Sequence, residues 1–123
     1  VGATWCSWCT LMDRDSYTHP EIARFINANF VAIKIDYDAD PKLTRNIQRA
    51  AALENLPAGI PLTLFVSPQL TLYDGGSYYP PTPTGSKISL QQALSGALAK
   101  YRNHRSAVAK DGVRLNLIPE KQP

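Results

Sequence analysis

The 123-residue sequence predicts an α/β fold in which a mixed sheet is flanked by helices. Three observations carry that prediction. Apolar residues recur at helical spacing in four segments. Two short apolar, β-branched runs, residues 30–36 and 61–66, lie between them. A third run, Thr71–Tyr73, is followed by the turn-forming Asp74, Gly75 and Gly76. The resulting order is helix, helix, strand, helix, strand, strand, helix.

Residues 6 to about 16 read as the first helix, with Trp8, Leu11, Met12 and Asp15 near one another and Asp13 and Arg14 turned outward. The second helix starts at Pro20, capped by Thr18 or His19, with Glu21 at its positive end. Ile22, Phe25, Ile26 and Phe30 form its apolar stripe. Residues 30–36 then read as a buried strand, which Asp38 to Pro41 stops. The third helix spans roughly Pro41 to Leu53 and turns Leu43, Ile47, Ala50 and Ala51 inward. Residues 54–59 are a loop before the strand 61–66. Residues 77–87, with Tyr78, Tyr79, Pro80, Pro81, Pro83 and Gly85, read as an ordered irregular loop. The last helix runs from about Ser89 to Arg105 on an inner face of Leu90, Ala93, Leu94, Ala97, Leu98 and Tyr101. Residues 1–110 form one domain and 111–123 a tail. The first helix needs a strand to hang from, and only Val1 to Thr4 precede it, so the N-terminal strand is expected to be largely missing or truncated.

Composition narrows the function classes. Hydrophobic residues at 44% supply a core and argue against a disordered chain. No run approaches the roughly 20 apolar residues of a membrane span. The net charge of +3 is mildly basic, and Arg102, Arg105, Lys110 and Arg114 read as a solvated late face. Nucleic-acid binding would want basic residues interleaved with exposed aromatics, so it is not expected.

The chemistry sits at the start. Trp5-Cys6-Ser7-Trp8-Cys9 holds the only two cysteines, in one Cys-x-x-Cys motif at the head of a helix. A thiol there faces unpaired backbone N–H groups and the positive helix end, which lower its pKa below the roughly 8.5 of a free cysteine. Cys6 is therefore the expected exposed nucleophile and Cys9 the resolving thiol of a dithiol/disulfide exchange. Ile60-Pro61, just before a strand, is expected to be cis and to leave the Ile60 backbone free for an extended substrate. Trp5 is a candidate apolar rim beside Cys6. Trp8 either does the same or packs inward. Tyr78, Tyr79, Pro80 and Pro81 read first as the cover of a sheet edge. Asp13, Arg14 and Asp15 read as solvated helix residues, with a bias of the thiolate by Arg14 as the alternative.

Metal readings are weak. Cys6 and Cys9 have half-site spacing, but His19 and His104 are the only histidines and lie far apart. Asp36, Asp38 and Asp40 have the alternating spacing of a calcium loop without its glycine or distal glutamate. No cofactor is expected.

Ala3-Thr4-Trp5-Cys6-Ser7-Trp8-Cys9 and Gly59-Ile60-Pro61 resemble the active-site stretch and cis-proline loop of thioredoxin-fold proteins. The match narrows over Trp8 to Met12, Asp15 to Tyr17, Pro20 to Ala23, Asn29 to Asp36, Pro61-Leu62 before Phe65, and Gly75-Gly76-Ser77-Tyr78-Tyr79-Pro80-Pro81. These resemble the thioredoxin-like domain of the spermatogenesis-associated thioredoxin-like proteins and their bacterial relatives, over roughly residues 2–110. The resemblance implies a thioredoxin-like fold and a thiol–disulfide oxidoreductase. It assigns Cys6 and Cys9 to catalysis, Trp5, Ile60 and Pro61 to substrate binding, and a protein disulfide or dithiol as partner. That family usually carries His after each cysteine. Ser7 and Thr10 stand there instead, so no histidine role carries over. The alternative is a non-catalytic accessory or interaction subunit of a larger protein assembly. The compartment stays open, with an extracytoplasmic (periplasmic) setting favoured over the cytoplasm.

Overall fold

The computed structural model describes residues 1–57, 59–105 and 113–114, the last two by their backbone. Its elements are α1 (Ser7–Met12), a π-helical turn (Asp13–Tyr17), α2 (Pro20–Asn29), α3 (Pro41–Leu53), β1 (Thr63–Val66), β2 (Thr71–Gly76), α4 (Leu90–Asn103) and β3 (Val113–Arg114). The described residues are thus mixed α/β, compatible with a thioredoxin-like fold.

Local chemistry sets the helix ends. Pro20 opens α2 behind an extended His19 that makes no side-chain cap. Asp40 caps α3 by accepting the Leu43 N–H at 3.1 Å. Ser89 and Gln92 close a reciprocal capping box on α4. The first helix departs from expectation, because its regular part stops at Met12 and the π-helical turn follows. Ser16, rather than Asp15, then takes the inward position one turn beyond Met12. A buried hydroxyl needs a partner, and Ser16 Oγ donates to the Tyr79 carbonyl at 2.9 Å.

β1 pairs antiparallel with β2, Thr63 opposite Gly76 and Phe65 opposite Asp74, with an irregularity before Val66. Gly75 is held there by space, since a Cβ would sit 2.6 Å from the Thr63 carbonyl. β2 pairs antiparallel with β3, Leu72 opposite Val113. The expected mixed sheet is therefore antiparallel in its named strands, and its parallel part is the single bridge from Gly2 to Asp36. Val113 and Arg114 fall in the expected tail, the rest of which lies outside the described residues, as does the expected boundary at residue 110.

Period-two alternation along β1 separates two cores. Phe65 faces one side and joins Met12 of α1, Ile22 of α2, Tyr79 of the loop after β2, and Leu90, Ala93, Leu94 and Ala97 of α4. Leu62 and Leu64 face the other and meet Ile47 and Ala51 of α3. Helices on both faces of a sheet give three layers, with the motif at one end of α1.

The segment 30–36 corrects the reading of a buried strand. Val31 is 89% and Ile33 65% exposed, and only Asp36 enters a bridge. A strand exists through its neighbour, and among the described residues the backbone partner of this segment is Gly2. Gly2 donates to the Ile35 carbonyl at 3.0 Å and accepts from the Tyr37 N–H at 2.8 Å. Val1 exchanges two bonds with Leu62, the pattern of an antiparallel pair. Cavities of about 780 and 640 Å³ are lined both by residues of the 30–34 segment and by residues of β1. Among the described residues, no helix is long and apolar enough to cross a membrane.

Buried phenols give the fold an alkaline limit. Burial, reinforced by Asp74, pushes both Tyr73 and Tyr79 up to about 12, and burial raises Tyr17 as well. A pKa raised on folding means the neutral phenol is the form the fold favours. That stability is complete below pH 10, the ordinary tyrosine value, and is lost as pH rises toward 12. Phenolate absorbance should show Tyr73 and Tyr79 titrating late, with the melting temperature falling over the same interval. Six tyrosines titrating together at their ordinary value on an intact fold would contradict this.

Candidate active site

The two cysteines form a disulfide with their Cα atoms 5.2 Å apart. A turn prepares the geometry, as the Cys6 N–H donates to the Ala3 carbonyl at 3.2 Å. Cys6 is the N-cap of α1, in extended conformation at φ −89° and ψ 109°. Its Sγ accepts the Cys9 N–H at 3.2 Å, where a capping oxygen ordinarily sits. Thr10 fastens the same turn, its N–H and Oγ1 both donating to the Cys6 carbonyl at 3.1 and 3.2 Å.

Sequence reasoning expects Cys6 to be more open than Cys9. In the disulfide form the two are equally covered, at 7% and 6% exposure. Gly2 covers Cys9, since a Cβ there would approach Cys9 Sγ to 3.4 Å.

The Ile60–Pro61 peptide is cis. Pro61 is buried and lines the larger cavity together with Gly2, Thr4, Cys9 and Thr10. Pro61 and Cys9 thus line one opening, although they are 52 positions apart in sequence (61 − 9). Ile60 is half-buried beside Pro61 and is not among the cavity's lining residues.

Trp5 stands 63% exposed and is held from two sides. Its indole N–H donates to Asp38 Oδ2 at 2.7 Å, and its ring meets Tyr37 edge-on at 5.8 Å. Trp8 is 57% exposed and packs against the Tyr78 ring at 4.9 Å. It therefore turns outward, not into the core. Neither Asp38 nor Tyr78 is marked as a tryptophan partner by sequence, because each contact joins a loop to the motif across the fold.

The surrounding charges are mostly engaged. Asp36 accepts the Asp38 N–H, Asp38 accepts from Trp5, and Asp40 caps α3. The alternating aspartates are thus building a turn and a helix start. Arg14 forms a two-pronged pair with Asp15, which raises the guanidinium pKa and holds the carboxyl below its usual range. Both side chains are exposed, so the pair adds little stability. This pairing turns the Arg14 charge to its neighbour and not to a thiolate. Asp13, at the cavity that Cys9 lines, pairs with Lys34 at 2.9 Å. Among the described residues, no three His, Cys, Asp or Glu side chains gather to hold a metal ion. His19 and His104 stand at the start of α2 and the end of α4.

The chain is similar to an uncharacterized protein of Caenorhabditis elegans, B0495.5, at 25% identity over 115 residues, which is 94% of this chain and 16% of that protein. It is also similar to spermatogenesis-associated protein 20 of Homo sapiens and of Rattus norvegicus. Each is 23% identical over 115 residues, covering 94% of this chain and 15% of the relative. The chain spans about a sixth of the length of these relatives. Residues 1–117 match the family described as Thioredox_DsbH, protein of unknown function, DUF255, and the chain belongs to this thioredoxin-like family.

Proposed function

We propose that this chain is a thiol–disulfide oxidoreductase acting on polypeptide disulfides or dithiols through Cys6 and Cys9. The observation that carries the reading is the Cys6 sulfur at the N-cap of α1, accepting a backbone N–H and bonded to Cys9. The amide that serves the sulfur here stabilises a thiolate more than a thiol once the disulfide opens.

The exchange balances without a cofactor. With the pair reduced, the Cys6 thiolate attacks one sulfur of a substrate disulfide, and the other leaves as a thiolate and takes a proton. Cys9 loses its proton and attacks Cys6 Sγ, which releases the second substrate sulfur. Two electrons pass from the cysteine pair to the substrate. Run backward, the Cys6–Cys9 disulfide oxidises a substrate dithiol. Repeated turnover in either direction needs a second dithiol or disulfide partner to reset the pair. Trp5 supplies an apolar rim, and the backbone at Ile60 and Pro61 receives the substrate as an extended strand.

The burial of both sulfurs favours a second reading, in which the chain is a non-catalytic accessory or interaction subunit whose disulfide is a fixed tie. Trapping separates the two. Cys9→Ser should accumulate a mixed disulfide through Cys6 with a disulfide peptide, visible by mass and reversed by reductant. A Cys9→Ser chain that stays free after prolonged incubation would sink the catalytic reading.

A further inference from the structure

We propose that Trp8 and Tyr78 form a second aromatic wall of this site, selecting polypeptides that carry an aromatic or large apolar side chain beside the reacting cysteine. The proposal rests on the reading of Cys6 and Cys9 as an exchange pair.

Trp8 lies between the two cysteines in sequence, and its side chain is more than half open while the sulfurs beside it are closed. An indole of that exposure at a helix start is normally mobile. This one is braced by Tyr78, with the rings 4.9 Å apart and inclined at 59°. Tyr78 is in turn fixed by the residues around it. Tyr79 is 9% exposed, and its ring occupies the space a Cβ on Gly76 would need. The Tyr79 carbonyl accepts from buried Ser16 at 2.9 Å, and the Pro80 carbonyl accepts from the Leu90 N–H at 2.9 Å. The loop is therefore pinned both to the π-helical turn that follows α1 and to α4. Covering a sheet edge, the role the sequence suggests for this loop, would not require Tyr78 to reach Trp8.

The first wall is built differently. Trp5 is held by Asp38 and Tyr37 from the turn after residue 36. Two tryptophans that flank Cys6 in sequence are thus each braced by a tyrosine from a different loop. The occupant is constrained by the sulfur it must deliver, so it is an extended polypeptide presenting a cysteine. Fixed aromatic faces lose little freedom on contact and favour offset or edge-to-face partners. The selected neighbours are therefore aromatic or large apolar side chains.

The test uses the reduced chain and two matched peptide disulfides, one with Trp or Phe beside the cysteine and one with Gly and Ser. The unmodified chain should favour the aromatic peptide about three- to tenfold in kcat/KM, the range one aromatic contact supplies. Trp8→Ala and Tyr78→Ala should each bring that ratio close to one, and Trp8→Phe should keep it. A ratio measured on a single variant cancels any change in thiol reactivity. A second arm titrates the disulfide form of the chain with the aromatic peptide carrying serine for cysteine, followed by tryptophan fluorescence. Binding lost in Trp8→Ala supports the wall even where no disulfide is exchanged, and so separates its fate from that of the exchange reading. A ratio near one in the unmodified chain, or a preference that survives both alanine variants, overturns the proposal. So does serine-peptide binding that Trp8→Ala leaves intact.

Discussion

Cys6→Ser should reduce disulfide exchange to the uncatalysed background, whereas Cys9→Ser should leave the chain covalently joined to its substrate. The asymmetry follows from position. Cys6 caps α1 and draws on the Cys9 amide, while Cys9 lies one turn in, beneath Gly2. A serine at position 6 presents no sulfur to attack, so the loss is complete. A serine at position 9 keeps the attack and removes the release. Both variants should fold, because a tie between residues three apart closes a very short loop. The chain-entropy account gives such a loop about 2 kcal/mol, less than the roughly 5–15 kcal/mol that holds a domain together. Rates on a peptide disulfide, with mass analysis of quenched samples, check both expectations. Equal losses in the two variants, with no adduct in either, would contradict the assigned roles.

Phe65→Ala should be the most damaging change in the core. Phe65 is 5% exposed and lies on the side of β1 that meets α2 and α4. Its ring stands 5.9 Å from Phe30 and 6.5 Å from Tyr73, linking the end of α2 to β2. Truncation removes the transfer energy of the ring and opens a cavity that fixed neighbours only partly fill, a cost of about 3–5 kcal/mol. Leu53→Ala is the control, because Leu53 is 69% exposed at the end of α3. Its effect should stay within about 0.5 kcal/mol. Urea midpoints compare the two, and a Phe65→Ala loss below about 1 kcal/mol would show that the sheet is not packed between two helical layers.

The four helices were legible because amphipathic spacing and caps are local signals. Pro20, Asp40 with Pro41, and Ser89 each mark a helix start in the sequence itself. The hairpin was legible as well, although Asp74, Gly75 and Gly76 lie within β2 and not in a turn after it. The pairing of residues 30–36 was not legible. Its apolar, β-branched content describes what a strand buries, but hydrogen bonding depends on a neighbour that spacing does not name, and here Gly2 bonds the backbone of Ile35 and Tyr37. The π-helical turn at Asp13–Tyr17 was not legible, because a single wide turn moves the inward position from Asp15 to Ser16 without a repeat that sequence spacing could show.

In the site, Cys6 and Cys9 were readable as a pair, since close spacing alone puts both sulfurs on one turn. Pro61 was readable from its place before a strand, and its approach to Cys9 came from the fold. The braces on the tryptophans were hidden. Asp38 belongs to an aspartate series that suggests a calcium loop, and only the structure shows its carboxylate on the Trp5 indole. Tyr78 carries no local mark that it meets Trp8, 70 residues away (78 − 8).

The most direct test of the catalytic reading is a redox titration of the chain in glutathione buffers, with thiols alkylated and counted by mass. The account predicts a reversible two-electron transition of Cys6 and Cys9 between about −270 and −120 mV, the span of known exchange proteins. Its position in that span would say whether the chain donates or accepts electrons. A pair that remains oxidised below about −300 mV behaves as a structural disulfide, and that result would contradict the account.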